Sequence, residues 1–430
     1  MIEIRHTSVP IVILQAALEF HPGGLGIART AGKLGIRVYY LHGLLRVPSA
    51  SSRYIYDQAW WNADAPAEAS VECLLKRGQQ IGGKPILIPI DDKAAIFVAD
   101  QAEALRQGFL FPDQPTGLAR SLGSKKEMHF LCRKMGVPTP EAVFPQTKEE
   151  VAAFIETAVF PILLKRIVDW LPEHQMQMDS VLIVNSPETL LEEYEKHEKS
   201  ETQGKPNYFL QEYVPNGPGS DWIFNGYFTN ASECLVGFTG KKIRQSPPFT
   251  GATTLGISLE NETILKTSVD FLQRLGYSGI VDMDYRYDRR DGQYKLLDVN
   301  PRLGATFRLF VDSNGMDVVR ALYLDLTGQP VRSGVPCEGR KWIVEQSDLR
   351  TSLRYRRLGR LTLAEWARSL QGVNEGAWFS WDDLVPFAAM VWTYLTKAGR
   401  KLKDKIKNNA RARQRTYHHG TSNSPLSFRE

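Results

Sequence analysis

The chain has 430 residues, of which 43% are hydrophobic and 23% charged, enough apolar material for packed cores and unlike a fibrous or disordered chain. The net charge of +5 is unevenly spread: residues 397–430 hold ten Lys/Arg against Asp404 and Glu430, a local +8 that leaves −3 for the body. Overall basicity therefore gives no support for a nucleic-acid partner, and two or three domains are expected at this length.

In chain order, residues 10–15 predict a buried strand, His21–Gly26 a loop, Ile27–Leu34 a helix and Val38–Leu41 a second strand. That β-loop-α-β order implies a parallel, Rossmann-like sheet. Gly23-Gly24-Leu25-Gly26 lacks the full dinucleotide fingerprint, so a turn of the fold is expected there rather than NAD binding. A strand over Lys84–Ile90 is closed by Asp91-Asp92. The pattern then changes. Lys125–Met135 predicts a helix stopped by Gly136, followed by strands at Pro161–Lys165 and Tyr208–Val214, with Ser186 capping a helix over Pro187–Lys199. Further strands are expected at Trp222–Thr229 and Glu233–Thr239, a loop at 247–256, a helix at Leu265–Leu275, and a hairpin pairing Gly279–Tyr287 with Gln293–Asn300. Residues 336–396, rich in tryptophan, read as mainly helical. No apolar run reaches the roughly 18 residues of a spanning helix. The widely spaced Cys73, Cys132, Cys234 and Cys337 form no CxxC pair and fit a reducing cytoplasm. His21, His42, His129 and His174 stand singly and read as structural or surface residues.

Strand periodicity places Asp282, Asp284 and Arg286 on one face of the hairpin, and Asp298, Asn300 and Arg302 on one face of its partner. Carboxylates and an amide oxygen projecting from adjacent strands suit Mg²⁺, which prefers oxygen ligands and shares them with substrate phosphates.

Asp298-Val299-Asn300-Pro301-Arg302, preceded by Gly279–Tyr285, resembles the metal-binding hairpin of the ATP-grasp superfamily. The likeness covers about residues 9 to 330: Lys125 and Lys165 match the two nucleotide lysines, and Gln211-Glu212-Tyr213-Val214 the strand along adenine. Lys242–Pro248 with Gly251-Ala252-Thr253 is similar to predicted carboxylate–amine ligases, a group that includes D-aspartate ligases. The resemblance implies an α/β fold with α+β lobes: a Rossmann-like pre-ATP-grasp domain (1–115), a small ATP-grasp lobe (116–205), a catalytic lobe (206–330), a helical extension (331–396) and a basic, disordered tail (397–430). It implies ATP as cosubstrate with two Mg²⁺, or Mn²⁺, held by Asp284, Asp298 and Asn300, with Asp282 competing for the place of Asp284. Lys125, Lys165 and Lys242 would meet the nucleotide phosphates, Gln211–Val214 the adenine and Asp221 the ribose, while Arg302 and Arg244 would stabilise the transferred phosphoryl. The implied reaction activates a small-molecule carboxylate as an acyl phosphate for attack by an amine, in chemistry of the kind used to build cell envelopes or polysaccharides. An ATP-binding regulatory protein without turnover is the alternative, since Arg166–Glu173 lacks the family's phosphate-loop glycines. A cytoplasmic protein is expected, with a homodimer left open. The tail reads either as a frayed, disordered end or as a peripheral contact with the inner membrane face anchored by Val385–Leu395.

Overall fold

In the computed structural model, which describes residues 4–166, 181–198, 208–217, 219–397 and 399, the N-terminal segments form a parallel sheet. β1 (Ile11–Gln15), β2 (Val38–His42), β3 (Ile55–Trp60) and β4 (Ile86–Pro89) stand in the order β3-β2-β1-β4. All three pairings are parallel. β1 is buried along its whole length, as a strand covered on both faces must be. The connections carry α1 (Pro22–Gly32) and α2 (Ala67–Ile81), and α3 (Asp92–Asp100) and α4 (Ala102–Leu105) follow β4. Residues 22–26, expected as a loop, are instead the first turns of α1, with Pro22 in the position where its fixed φ and missing N–H are harmless. The glycines there serve packing: a Cβ on Gly24 would lie 2.2 Å from the Tyr40 hydroxyl.

A second, smaller unit follows α5 (Leu118–Gly123). In α6 (Lys125–Met135), Ser124 caps the first turn by accepting from the Glu127 amide, and Gly136 closes the last turn at φ 70°. β5 (Ala142–Val143), α7 (Lys148–Thr157), β6 (Ile162–Arg166), β7 (Val181–Val184), α8 (Pro187–Glu198) and β8 (Tyr208–Glu212) complete it. The strands pair antiparallel in the order β5-β8-β6-β7. Val151, Leu164, Leu190 and Leu210 give this sheet an apolar core of its own.

The largest sheet has seven strands in the order β13-β12-β9-β10-β11-β14-β15. These are β9 (Asp221–Phe228), β10 (Cys234–Ser246), β11 (Ala252–Ser258), β12 (Gly279–Asp288), β13 (Gln293–Asn300), β14 (Lys341–Ile343) and β15 (Val373–Gly376). The helices α9 (Glu262–Arg274), α10 (Val318–Leu326) and α11 (Glu345–Arg357) pack on it, and α12 (Leu363–Ser369) follows with no buried residue. Two expectations are corrected here. β10 runs on to Ser246 and β11 occupies 252–258, where a loop was expected. The segment 331–396 is not simply helical either, because β14 and β15 extend the sheet before a last helix over 385–397.

The N-terminal sheet and the seven-stranded sheet share one apolar core, running from Ile11 and Leu25 through Phe307 and Leu322 to Trp342 and Trp378. A buried ion pair fastens the C-terminal end to it. Arg29 Nε meets Asp383 Oδ2 at 3.0 Å, and its Nη2 donates to the carbonyl of Trp378 at 2.7 Å. Asp383 also accepts from Ser52 Oγ (2.7 Å) and the Arg53 amide (3.0 Å). Removing one partner of such a pair leaves an uncompensated buried charge. Asp383→Ala should therefore lower stability by about 3–5 kcal/mol, read from urea unfolding.

Candidate functional site

The hairpin of β12 and β13 sets Asp282 opposite Asn300 and Asp284 opposite Asp298, with a register shift immediately after Asp284. Neighbouring strands hold such opposed residues about 5 Å apart, so these carboxylates repel unless cations reach them. Two lysines do, each from a different element. Lys125, on the first turn of α6, bonds Asp298. Lys242, on β10, bonds Asp284 Oδ2 at 2.7 Å. Burial alone would push the Asp298 carboxyl up, but Lys125, Arg302 and Lys165 outweigh it and hold it below the usual range. Burial would likewise lower the Lys242 ammonium, and Asp284, Asp221 and Asp282 raise it instead.

Lys125, Lys242, Asp284 and Asp298 line one cleft of about 300 Å³ between the small sheet and the hairpin. Lys165, at the end of β6, faces it from the small sheet and donates to Gln211 Oε1 at 2.6 Å. Burial, and Lys125 nearby, push its ammonium down to about 7. Glu212, Val214 and Asp221 also border the cleft.

The cleft thus gathers Lys125, Lys165, Gln211, Glu212, Val214, Asp221, Lys242, Asp284 and Asp298. Besides the pairs already described, Glu212 and Asp221 are engaged as well. The Glu212 carboxylate accepts from Lys295 Nζ at 3.1 Å and pairs with Arg290. Asp221 accepts from Arg286 Nε (2.7 Å), Asn216 Nδ2 (2.7 Å) and Gln245 Nε2 (2.9 Å). Asp221 is thus held by three donors at the border of the cleft, the side on which a ribose contact is expected of it. Tyr213 and Asn300 do not border the cleft.

Arg244 is the clear correction. Its guanidinium is buried away from the cleft, forked onto Asp348 of α11 with Nε–Oδ1 at 2.8 Å and Nη2–Oδ2 at 2.9 Å. The cause is a register irregularity in β10 between Lys242 and Gln245. A bulge reverses the inside–outside alternation, so Lys242 and Gln245 face the cleft while Arg244 faces the opposite side. Arg302 is also displaced from its expected place. Its Nε bonds Asp92 Oδ1 of the N-terminal unit at 2.6 Å, and its Nη2 bonds Asn300 Oδ1 at 3.1 Å. It borders a second, mostly apolar cavity between Val98, Phe111, Ile280 and Leu322, which gathers no set of reactive groups.

Sequence reasoning missed the group around Asp282. Its Oδ1 is buried without a partner, and burial together with Asp284 pushes its carboxyl up to about 7. Gly304 is required beside it, because a Cβ there would lie 2.3 Å from Asp282 Oδ2. His21 is buried nearby, its imidazole pushed down to about 3 by burial and by Arg302. Only the folded chain brings Gly304 against Asp282. The segment after Lys165, from Ile167 to Glu173, lies outside the described residues.

Among the described residues no group of three or more His, Cys, Asp or Glu is arranged to hold a metal by itself. The carboxylates of Asp284 and Asp298, opposed on neighbouring strands at the cleft, are oxygen donors of the kind Mg²⁺ takes together with phosphate and water, whereas Asn300 Oδ1 is engaged by Arg302.

Among solved structures, the chain is similar to an L-amino acid ligase from Bacillus licheniformis, at 16% identity over 75% of this chain and 77% of that one, with a TM-score of 0.55. It is also similar to N5-carboxyaminoimidazole synthetase from Staphylococcus aureus complexed with ADP, at 13% identity over 78% and 82%, with a TM-score of 0.57. The chain has the ATP-grasp fold. A curated relative, D-aspartate ligase from Enterococcus faecium, is 25% identical over 248 residues. That match covers 55% of this chain and 57% of the relative's length. No protein-family model matches the chain. On the ATP-grasp frame, the cleft lies between the small antiparallel sheet and the hairpin edge of the large one.

Two outcomes follow from the charges. The neutral amine is the nucleophile, so Lys165 should become acylable as pH rises through about 7. Ordinary lysines titrate near ~10.4. Acetylation by an activated ester at neutral pH, mapped by mass spectrometry, should single out Lys165. A carboxyl whose pKa rises on folding loses stability as pH climbs from its unfolded value, about 3.9, toward 7. Asp282→Asn should therefore raise stability at pH 8 by roughly 1–3 kcal/mol and give no gain at pH 4, read from unfolding curves at both pH values.

Proposed function

We propose that the chain is an ATP- and Mg²⁺-dependent ligase that joins a carboxylate to an amine, with an amino acid among its substrates. The observation that carries this reading is the convergence of Lys125, Lys165 and Lys242 with Asp284 and Asp298 on one cleft. The names of two relatives, D-aspartate ligase and L-amino acid ligase, support the substrate class.

In this reading the substrate carboxylate attacks the γ-phosphorus of ATP. The bond to the β,γ-bridging oxygen breaks, giving an acyl phosphate and ADP. The amine then adds to the acyl carbon, phosphate leaves with the C–O bonding pair, and the nitrogen gives up a proton to form the amide. Reactions of this kind depend on positioning and charge neutralisation more than on covalent help from the protein. Lys165 approaches the cleft from the small sheet, and Lys125 and Lys242 from α6 and β10 beside the hairpin, an arrangement that fits a polyphosphate among them. The adenine would lie along Gln211–Val214, where Val214 is buried beside the cleft. Asp284, Asp298 and Asn300 would hold Mg²⁺, which would neutralise phosphate charge when bound. Lys125 and Lys242 now occupy the carboxylates, so nucleotide and metal binding would release both lysines to face phosphate. Arg302 is tied to Asp92 and Asn300, which suits it to the junction with the N-terminal unit, on the side where the acceptor would enter.

The test is ADP and phosphate release with Mg²⁺-ATP across a panel of amino acids and amines. Release should be stimulated by a particular pair, and Asp298→Ala should reduce it by about 10²-fold or more. Arg244→Ala should act through stability instead, since its partner Asp348 would be left buried and uncompensated. Tight ATP binding with no turnover on any pair would replace this reading with that of a nucleotide-binding regulator.

A further inference from the structure

The last described helix, 385–397, is apolar on both its faces. The inner face is packed. Met390 is 2% exposed, Phe387 and Tyr394 pack against the main core, and the Tyr394 ring meets Phe20 with centroids 4.5 Å apart. The outer face is bare. Leu384, Val385, Val391, Trp392 and Leu395 follow one another at helical spacing and are 48%, 58%, 37%, 65% and 63% exposed. Trp381, just before the helix, is 84% exposed. On the N-terminal unit, Arg46 reaches Thr396 Oγ1 at 3.5 Å, and its neighbour Leu45 is 96% exposed. A surface helix of a soluble domain ordinarily turns charged residues outward. This one turns tryptophan, leucine and valine outward, so a partner is implied.

The sequence beyond it says which kind. With the same helical period, Leu402 and Ile406 extend the apolar positions of Leu395. Between Lys397 and Lys407 six Lys/Arg stand around them against the single Asp404, and the stretch 397–430 carries +8. A second copy of the chain would bring two such basic stretches together and set like charges against each other. An acidic lipid surface satisfies both halves of the pattern, taking the aromatic and aliphatic side chains below its headgroups and the lysines at them.

We propose that the helix 385–397 and the basic stretch after it bind this protein peripherally to an anionic membrane. Tryptophans suit the interfacial depth, where an apolar ring and a polar N–H are both accommodated. The proposal is independent of the ligase reading, because none of its residues borders the nucleotide cleft.

Flotation of the full chain with vesicles of phosphatidylcholine, with and without phosphatidylserine, tests it. Binding should be at least about tenfold stronger with phosphatidylserine and should weaken as salt is raised. Trp392→Glu with Leu395→Glu should reduce it by about tenfold or more, as should removal of residues 398–430, while urea unfolding of the double variant stays as in the parent. Three outcomes would overturn the proposal. One is no flotation with either vesicle. A second is a concentration-dependent dimer that Trp392→Glu dissolves, which assigns the face to a second copy. The third is stronger vesicle binding after removal of 398–430, which assigns it to the chain's own tail.

Discussion

Everything in the cleft depends on balancing charge along one hairpin. Asp282, Asp284 and Asp298 stand on adjacent strands, with Asp284 directly opposite Asp298. Left alone, charges at that spacing in a partly dry site repel by several kcal/mol. The fold meets the difficulty by importing cations from elements far apart in sequence. Lys125 arrives 173 positions before Asp298, and Lys242 arrives 42 before Asp284. The helix α6 and strand β10 are thereby tied to the hairpin through the same groups that suit phosphate and metal. Asp282 receives no such cation on its Oδ1 and carries the cost as a raised pKa.

Backbone contacts reinforce that coupling. β13 ends the seven-stranded sheet, and its Leu296 amide donates to the Pro138 carbonyl at 2.7 Å while Thr139 Oγ1 donates to the Leu296 carbonyl at 3.1 Å. The chain leaving α6 therefore covers an edge that would otherwise expose unpaired groups. On the other side, Arg302 joins the hairpin to Asp92, and Arg308 spans Asp317 (2.5 Å) and Glu375 (2.8 Å). The hairpin and the N-terminal unit are held by a common core and these ion pairs, whereas the small sheet keeps a separate core.

Much of this was legible in the residues. The helix at Lys125–Met135 announced itself by its serine cap and closing glycine, and the hairpin by its alternation and its Arg-Asp-Gly turn. Strand period pointed to Asp284 and Asp298, and the family resemblance to Lys125 and Lys165, all of which border the cleft. What stayed hidden has physical reasons. β14 and β15 have three and four residues, too few to show a period. The glycines of α1 read as a loop because the close approaches they allow, Gly24 to Tyr40 and Gly26 to Phe307, are made to other parts of the chain. Arg302 and Asp221 could be placed near the site by sequence, but their partners, Asp92 and Arg286, come from other strands and units. The approach of Gly304 to Asp282 is tertiary throughout.

The bulge in β10 reaches further than the misplacement of one arginine. Lys242 and Arg244 are two residues apart, yet one balances the cleft carboxylates and the other anchors α11. Ile243 between them is 37% exposed, so its side chain matters less than its presence as a spacer. Exchange of that isoleucine for another residue leaves the phase of the strand intact. Without the bulge, strict alternation would put both cations on one face, so the extra residue is what lets a single strand serve the cleft and the helix behind it.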